Sequence, residues 1–257
     1  MGETMSISSH FDETLPQTSA QWINRGHHLK QEERYADAVA AYQQAILCNP
    51  QDAAAYKYLA DVWYELGQYE FALTGYQRAL ELNPDSLPLL IYKGEILECL
   101  QRYEEALSVY EQAISLAPDE PTLYAIKAYV LTELEREREA MSAYARALQL
   151  YPDYSEVYNN LGLLLAHMKH YEEAIRAYQK AIELKPDEVF FYQNLSILFE
   201  NLDRWQEAQY VQSQAEALGL RWEDTLTTTE HRIRWENIPT VRFPMPRLLK
   251  NFGEESI

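Results

Sequence analysis

Apolar positions between residues 19 and 220 follow a helical spacing that restarts at a fixed interval. Small side chains recur at Ala38, Ala72, Ala106, Ala140, Ala174 and Ala208, and each is followed at the same distance by a second alanine: Ala45, Ala79, Ala113, Ala147, Ala181 and Ala215. Between the two stands an aromatic, Tyr42, Tyr76, Tyr110, Tyr144 or Tyr178, with Gln212 breaking the series. Spacings of about three, four and seven put these residues on one face of a helix. The alanines let a neighbouring helix approach and the rings fill the gaps between helices. A second apolar stripe precedes each such face, as in Trp22, Gly26, Leu29, in Tyr56, Leu59, Ala60, Trp63, or in Tyr158, Leu161, Gly162, Leu165. Polar junctions such as ELGQYE and HMKHYE separate the two stripes. The pattern therefore predicts pairs of antiparallel helices.

Prolines close the pairs. Pro50, Pro84, Pro118, Pro152 and Pro186 stand 34 residues apart and each ends a second helix, which proline cannot continue. Counting back from them gives units 19–52, 53–86, 87–120, 121–154, 155–188 and 189–220. Asp52, Asp85 or Ser86, Asp119 or Glu120, and Asp153 or Ser155 offer capping or first-turn chemistry to the next helix. Pro88 and Pro121 fall in first turns, where a missing N–H costs little. A fixed period of this length marks a stacked array of supersecondary units, so the fold expected is an all-α solenoid.

The pattern resembles the tetratricopeptide repeat, whose consensus runs W-x2-L-G-x2-Y, then A-x3-F, then P. The resemblance covers residues 19–220 and departs in three places: Gln212 at the aromatic site, Leu220 where a proline would fall, and Glu137 within the charged run ELEREREA. It implies a right-handed superhelical solenoid of about six helix–turn–helix repeats whose first helices line a concave groove. Carried over position by position, it implies a partner-binding surface of Tyr58, Asp61 and Glu65 from the second unit, Tyr92, Glu95 and Glu98 from the third, Tyr129 and Glu133 from the fourth, Asn160 from the fifth and Asn194 from the sixth. The carboxylate clamp of cochaperones that hold the acidic tails of Hsp70 and Hsp90 is absent, because Asp61 and Glu95 would repel such a tail. Asparagine ladders of the kind in O-GlcNAc-transferase-like arrays are represented by Asn160 and Asn194, and interrupted by Tyr58, Tyr92 and Ile126.

Charge narrows the partner. The chain carries 40 acidic and 22 basic residues, a net charge of −18, which disfavours nucleic acid and anionic membranes and steers basic proteins toward it. Tyrosine gives contact area at low entropic cost and carboxylates pair with Arg or Lys. The expected partner is thus a protein or peptide segment with basic and apolar residues. Cys48 and Cys99 fit neither a disulfide framework nor a metal site, and a reducing, cytoplasmic setting is expected. Met1–Ser6 fits only the bare myristoylation pattern, and Glu3 beside the acceptor glycine argues against it. No phosphate loop, GxSxG, HExxH or CxxC occurs, and His167/His170 and His27/His28 read as solvated helix-end residues. The chain is therefore expected to be non-enzymatic, without metal or cofactor.

The flanks differ from the array. Residues 1–18 read as a flexible leader. Within 221–257, Trp222, Leu226 and Ile233 suggest a capping helix, followed by the extended stretch NIPTVRFPMPRLLKNF with three prolines and no acid. Its Arg242, Phe243, Arg247 and Lys250 complement the acidic groove and suggest a tail pseudo-ligand. Two other functions stay open: a self-associating scaffold using the convex surface, and a non-catalytic subunit of a transferase-type complex.

Overall fold

A computed structural model describes residues 18–219. The leader up to Gln17, and the capping helix and pseudo-ligand tail expected from Leu220 onward, lie outside the described residues. The chain divides after Pro84 into two compact units. Unit 1 holds two helix pairs, α1 (Ser19–Gln31) with α2 (Tyr35–Cys48) and α3 (Ala53–Glu65) with α4 (Tyr69–Leu82). Unit 2 holds four: α5 (Leu87–Cys99) with α6 (Tyr103–Leu116), α7 (Pro121–Glu133) with α8 (Glu137–Leu150), α9 (Ser155–His167) with α10 (Tyr171–Leu184), and α11 (Val189–Asn201) with α12 (Trp205–Ala217). Within each unit the pairs stack as consecutive layers of an all-α helical repeat solenoid.

The turn inside each pair is made the same way six times. One residue adopts left-handed backbone: Glu33 (φ 59°), Gly67 (69°), Gln101 (58°), Glu135 (57°), Lys169 (64°) and Asp203 (59°). The next N–H, from Arg34, Gln68, Arg102, Arg136, His170 or Arg204, returns to a carbonyl in the last turn of the first helix, closing a Schellman motif. The second helices end differently. Asn49, Asn83, Ala117, Tyr151 and Lys185 take φ between −134° and −144°, the extended backbone that a following proline imposes. Side-chain caps are fewer than the sequence suggests. Thr18, the last residue of the expected leader, forms a capping box with Gln21, and Glu120 accepts from Thr122 N–H. Asp52 instead accepts from Ser19 Oγ at 2.6 Å and ties the first repeat to the second.

The core is the stripe of alanine and tyrosine. Tyr42, Tyr76, Tyr110, Tyr144 and Tyr178 are all but inaccessible, as are the alanines on either side of them. In three repeats the ring lies over a glycine of the first helix. A Cβ on Gly26, Gly94 or Gly162 would stand 2.5, 2.4 or 2.9 Å from the nearest ring atom. Gly75 does the converse job in the second repeat, where its own Cβ would meet that of Ala60 at 2.8 Å.

The turns also carry a ladder of ion pairs. Arg34, Arg102, Arg136, His170 and Arg204 each precede a second helix and each bonds to the acid three residues on: Asp37, Glu105, Glu139, Glu173 and Glu207. Arg136 reaches back to Glu104 (3.4 Å) and Arg204 to Glu172 (2.7 Å), joining neighbouring repeats. The second repeat replaces this pair with Gln68 and Phe71, and Phe71 is 59% exposed.

Candidate partner-binding surface

First helices touch one another in each unit, α1 with α3 in unit 1 and α7 with α9 and α9 with α11 in unit 2. Within each unit they form a layer, and these layers carry the residues expected to bind a partner. Their chemistry is set partly by the buried tyrosines behind them. A phenol taken out of water needs a hydrogen-bond partner, and the first helices provide one. Tyr42 Oη lies 3.0 Å from His27 Nδ1, Tyr76 donates to Asp61 Oδ1 at 2.6 Å, and Tyr110 donates to Glu98. Tyr144 Oη is buried facing Thr132 and Asn160, and burial pushes its pKa up. In the sixth repeat Gln212, at the tyrosine position, donates instead to Ser196 Oγ (3.2 Å) and Glu200 Oε1 (3.3 Å). Burial holds the Glu200 carboxyl above the usual carboxylate range.

Unit 1 brings Tyr58, Asp61 and Glu65 onto α3, where the three are already engaged. Asp61 accepts from Lys57 Nζ (3.2 Å) as well as from Tyr76. Glu65 pairs with Lys30 at 2.7 Å across the two repeats. Tyr58 stacks on Tyr42 (5.9 Å), meets His27 edge-on (4.4 Å) and lies under Lys57 Nζ (4.7 Å). His27 is half-buried in this cluster, not solvated as the sequence suggested. Its pKa is lowered by burial, then by the nearby Lys30 and Lys57, with Asp61 opposing.

In unit 2, α5 presents Tyr92 and Glu95 half-buried and holds Glu98 buried, while α7 presents Tyr129 half-buried and Glu133 exposed. The asparagines sit deeper than a ligand-gripping ladder would. Asn160 is inaccessible and Asn194 nearly so, and both join Asn159. Asn194 Nδ2 donates to Asn159 Oδ1 at 2.8 Å, and Asn159 Nδ2 donates to Asn160 Oδ1 at 3.2 Å. This amide chain ties α9 to α11. Its signal in the sequence was the adjacent pair Asn159–Asn160 one repeat ahead of Asn194. Among the described residues no group of three or more His, Cys, Asp or Glu could hold a metal ion. Among them, too, no helix is long and apolar enough to cross a membrane.

Stacked helix pairs with shared first-helix layers define a helical-repeat protein-interaction module. The particular family follows from the sequence: models described as tetratricopeptide repeat match residues 23–87, 88–120, 121–154 and 155–188, which together span well over half of the chain, and the chain belongs to that family. No protein with a curated description matches it significantly. Among solved structures, a tetratricopeptide repeat protein from Parabacteroides merdae is 16% identical, with a TM-score of 0.69 over 77% of this chain and 79% of that one. MamA from Desulfovibrio magneticus (residues 41 to the end) is 19% identical, with a TM-score of 0.61 over 66% of this chain and 96% of that one. YrrB, described as having an unusual peptide-binding site, is 22% identical, with a TM-score of 0.59 over 68% of this chain and 90% of that one. At these identities the likeness is one of fold.

Proposed function

We propose that this chain is a non-enzymatic adaptor, assembly factor or chaperone-like holder that grips a basic, apolar segment of another protein on its first helices. One observation carries this reading. In unit 2, α5 and α7 each put a half-buried tyrosine beside a carboxylate on the same helix, Tyr92 with half-buried Glu95 and Tyr129 with exposed Glu133. Such a surface offers flat apolar area to an anchor side chain and anionic acceptors to an arginine or lysine. Asn160 and Asn194 act behind it as the floor that fixes α9 against α11, and Glu98 as the anchor of Tyr110. In unit 1, Tyr58, Asp61 and Glu65 add contact area, with much of their charge already offset by Lys57 and Lys30. That YrrB is described as peptide-binding is consistent with this use of the fold.

Panning a random peptide library against the full chain tests the reading. Peptides combining Arg or Lys with aromatic or aliphatic residues should be enriched, and Glu95→Lys/Glu133→Lys should abolish the enrichment while leaving the helical circular-dichroism spectrum unchanged. Enrichment of acidic peptides, or an unchanged selection by the charge-reversed variant, would overturn it. Asp61 is unsuitable for this test because its reversal would also strand the buried Tyr76 hydroxyl.

A further inference from the structure

The break in the ion-pair ladder marks a second surface, at the turn between α3 and α4. Five of the six turns place a basic side chain and an acid three residues apart, and the second repeat places Gln68 and Phe71 there instead. Phe71 is 59% and Leu66 40% exposed, and the Phe71 ring lies 5.1 Å from that of Trp63. So exposed a phenylalanine in the first turn of α4 gains little from folding beyond its contact with Trp63, whereas the acid used elsewhere would complement the helix N-terminus. The turns of the first two repeats, joined by Lys30 and Glu65 at 2.7 Å, are net acidic: Glu32, Glu33, Asp37, Glu65 and Glu70 outnumber Lys30 and Arg34 even though Arg34 pairs with Glu32 and Asp37.

An aromatic platform on net acidic turns fits an extended segment bearing prolines and arginines. The proline rings lie flat on the aromatics with little entropy to lose, and the guanidinium groups reach the carboxylates. This chain contains a segment of that composition. Residues 238–252 carry Pro239, Pro244 and Pro246 with Arg242, Arg247 and Lys250, and no acid. We propose that Trp63, Leu66 and Phe71 form a docking site for residues 238–252 of a second copy of this chain. Patch and segment lie far apart in the sequence, so every copy offers both halves of the match. The contact is head-to-tail, and successive copies extend it into a chain or close it into a ring.

The test replaces Phe71 with a photo-crosslinking benzoylphenylalanine in the full chain, mixes nitrogen-14 and nitrogen-15 preparations, irradiates, and maps the products by mass spectrometry. The expected result is crosslinks from position 71 to residues 238–252 that join light and heavy chains, falling at least tenfold with Arg242→Glu/Arg247→Glu. Phe71→Glu restores the acid found in the other repeats, so it should leave thermal stability unchanged while abolishing concentration-dependent mass in sedimentation. Crosslinks confined to single chains, crosslinks to other segments, none at all, or association that survives Phe71→Glu would each overturn the proposal.

Discussion

Replacing Gly94 with alanine sets two effects of known sign against each other. An alanine in the middle of α5 gains about 1 kcal/mol of intrinsic helix stability over glycine. Against that, its Cβ would lie 2.4 Å from Cε1, 2.5 Å from Cζ and 2.8 Å from Oη of Tyr110. Ordinary contact begins near 3.4 Å, so ring or helix must move by about an ångström. The ring cannot yield easily, since it is fully buried and its hydroxyl is held by the buried Glu98 carboxylate. Overpacking of this kind costs about 1–3 kcal/mol, and loosening a hydrogen bond to a charged group about 1.5–3 kcal/mol more. The expected net loss is therefore about 1.5–5 kcal/mol, read from urea unfolding followed by circular dichroism. Tyr110→Phe supplies the internal check, because it removes Oη and frees the ring from Glu98, so Gly94→Ala should cost clearly less in that background. A neutral or stabilising Gly94→Ala, or an equal cost with and without the Tyr110 hydroxyl, would refute the reasoning.

Further expectations follow from the same geometry. Tyr76→Phe should lose about 1.5–3 kcal/mol by removing a bond to the Asp61 carboxylate; an unchanged urea midpoint would contradict this. Glu135→Gly should stabilise by about 0.5–1 kcal/mol, because a left-handed φ of 57° strains any residue with a Cβ; a lower denaturation midpoint would contradict this. The folded pKa of His27 lies below its unfolded value, so the unfolded chain takes up that proton first as pH falls. The stability contributed is complete above the unfolded value of about 6.5 and is lost as pH falls through the folded one, a loss that His27→Gln should remove from melts run between about pH 7 and 5.

The helix pairs were legible because the alanine and tyrosine positions that repeat in the sequence are the positions that repeat in the core. Nothing of the kind announced the hydroxyl partners. Tyr42 and Tyr76 find theirs 15 residues upstream, at His27 and Asp61, but Tyr110 finds its at Glu98, 12 upstream, so no fixed interval links ring and acceptor. Asp61 and Glu98 consequently read as surface charge for a partner, although each also satisfies a buried phenol. The turns were hidden for a related reason. Only Gly67 shows the residue that left-handed backbone favours, and Glu33, Gln101, Glu135, Lys169 and Asp203 take the same φ without it. Asn160 and Asn194 matched a ladder position, yet their amides turn to Asn159, which only the packing of α9 on α11 could reveal.

The cross-repeat rungs of the turn ladder bear on how the chain comes apart. In a linear array, the length of chain that melts as one cooperative block depends on nearest-neighbour coupling, not on the stability of each repeat. Arg136 with Glu104, Lys127 with Glu111, and Arg204 with Glu172 put part of that coupling in unit 2 into partly exposed ion pairs, each worth about 0.2–1 kcal/mol and screened by salt. Ionic strength should thus change the breadth of the unfolding transition in unit 2 more than its midpoint. At high salt, end repeats would fray as separate segments while the middle of the array stays folded.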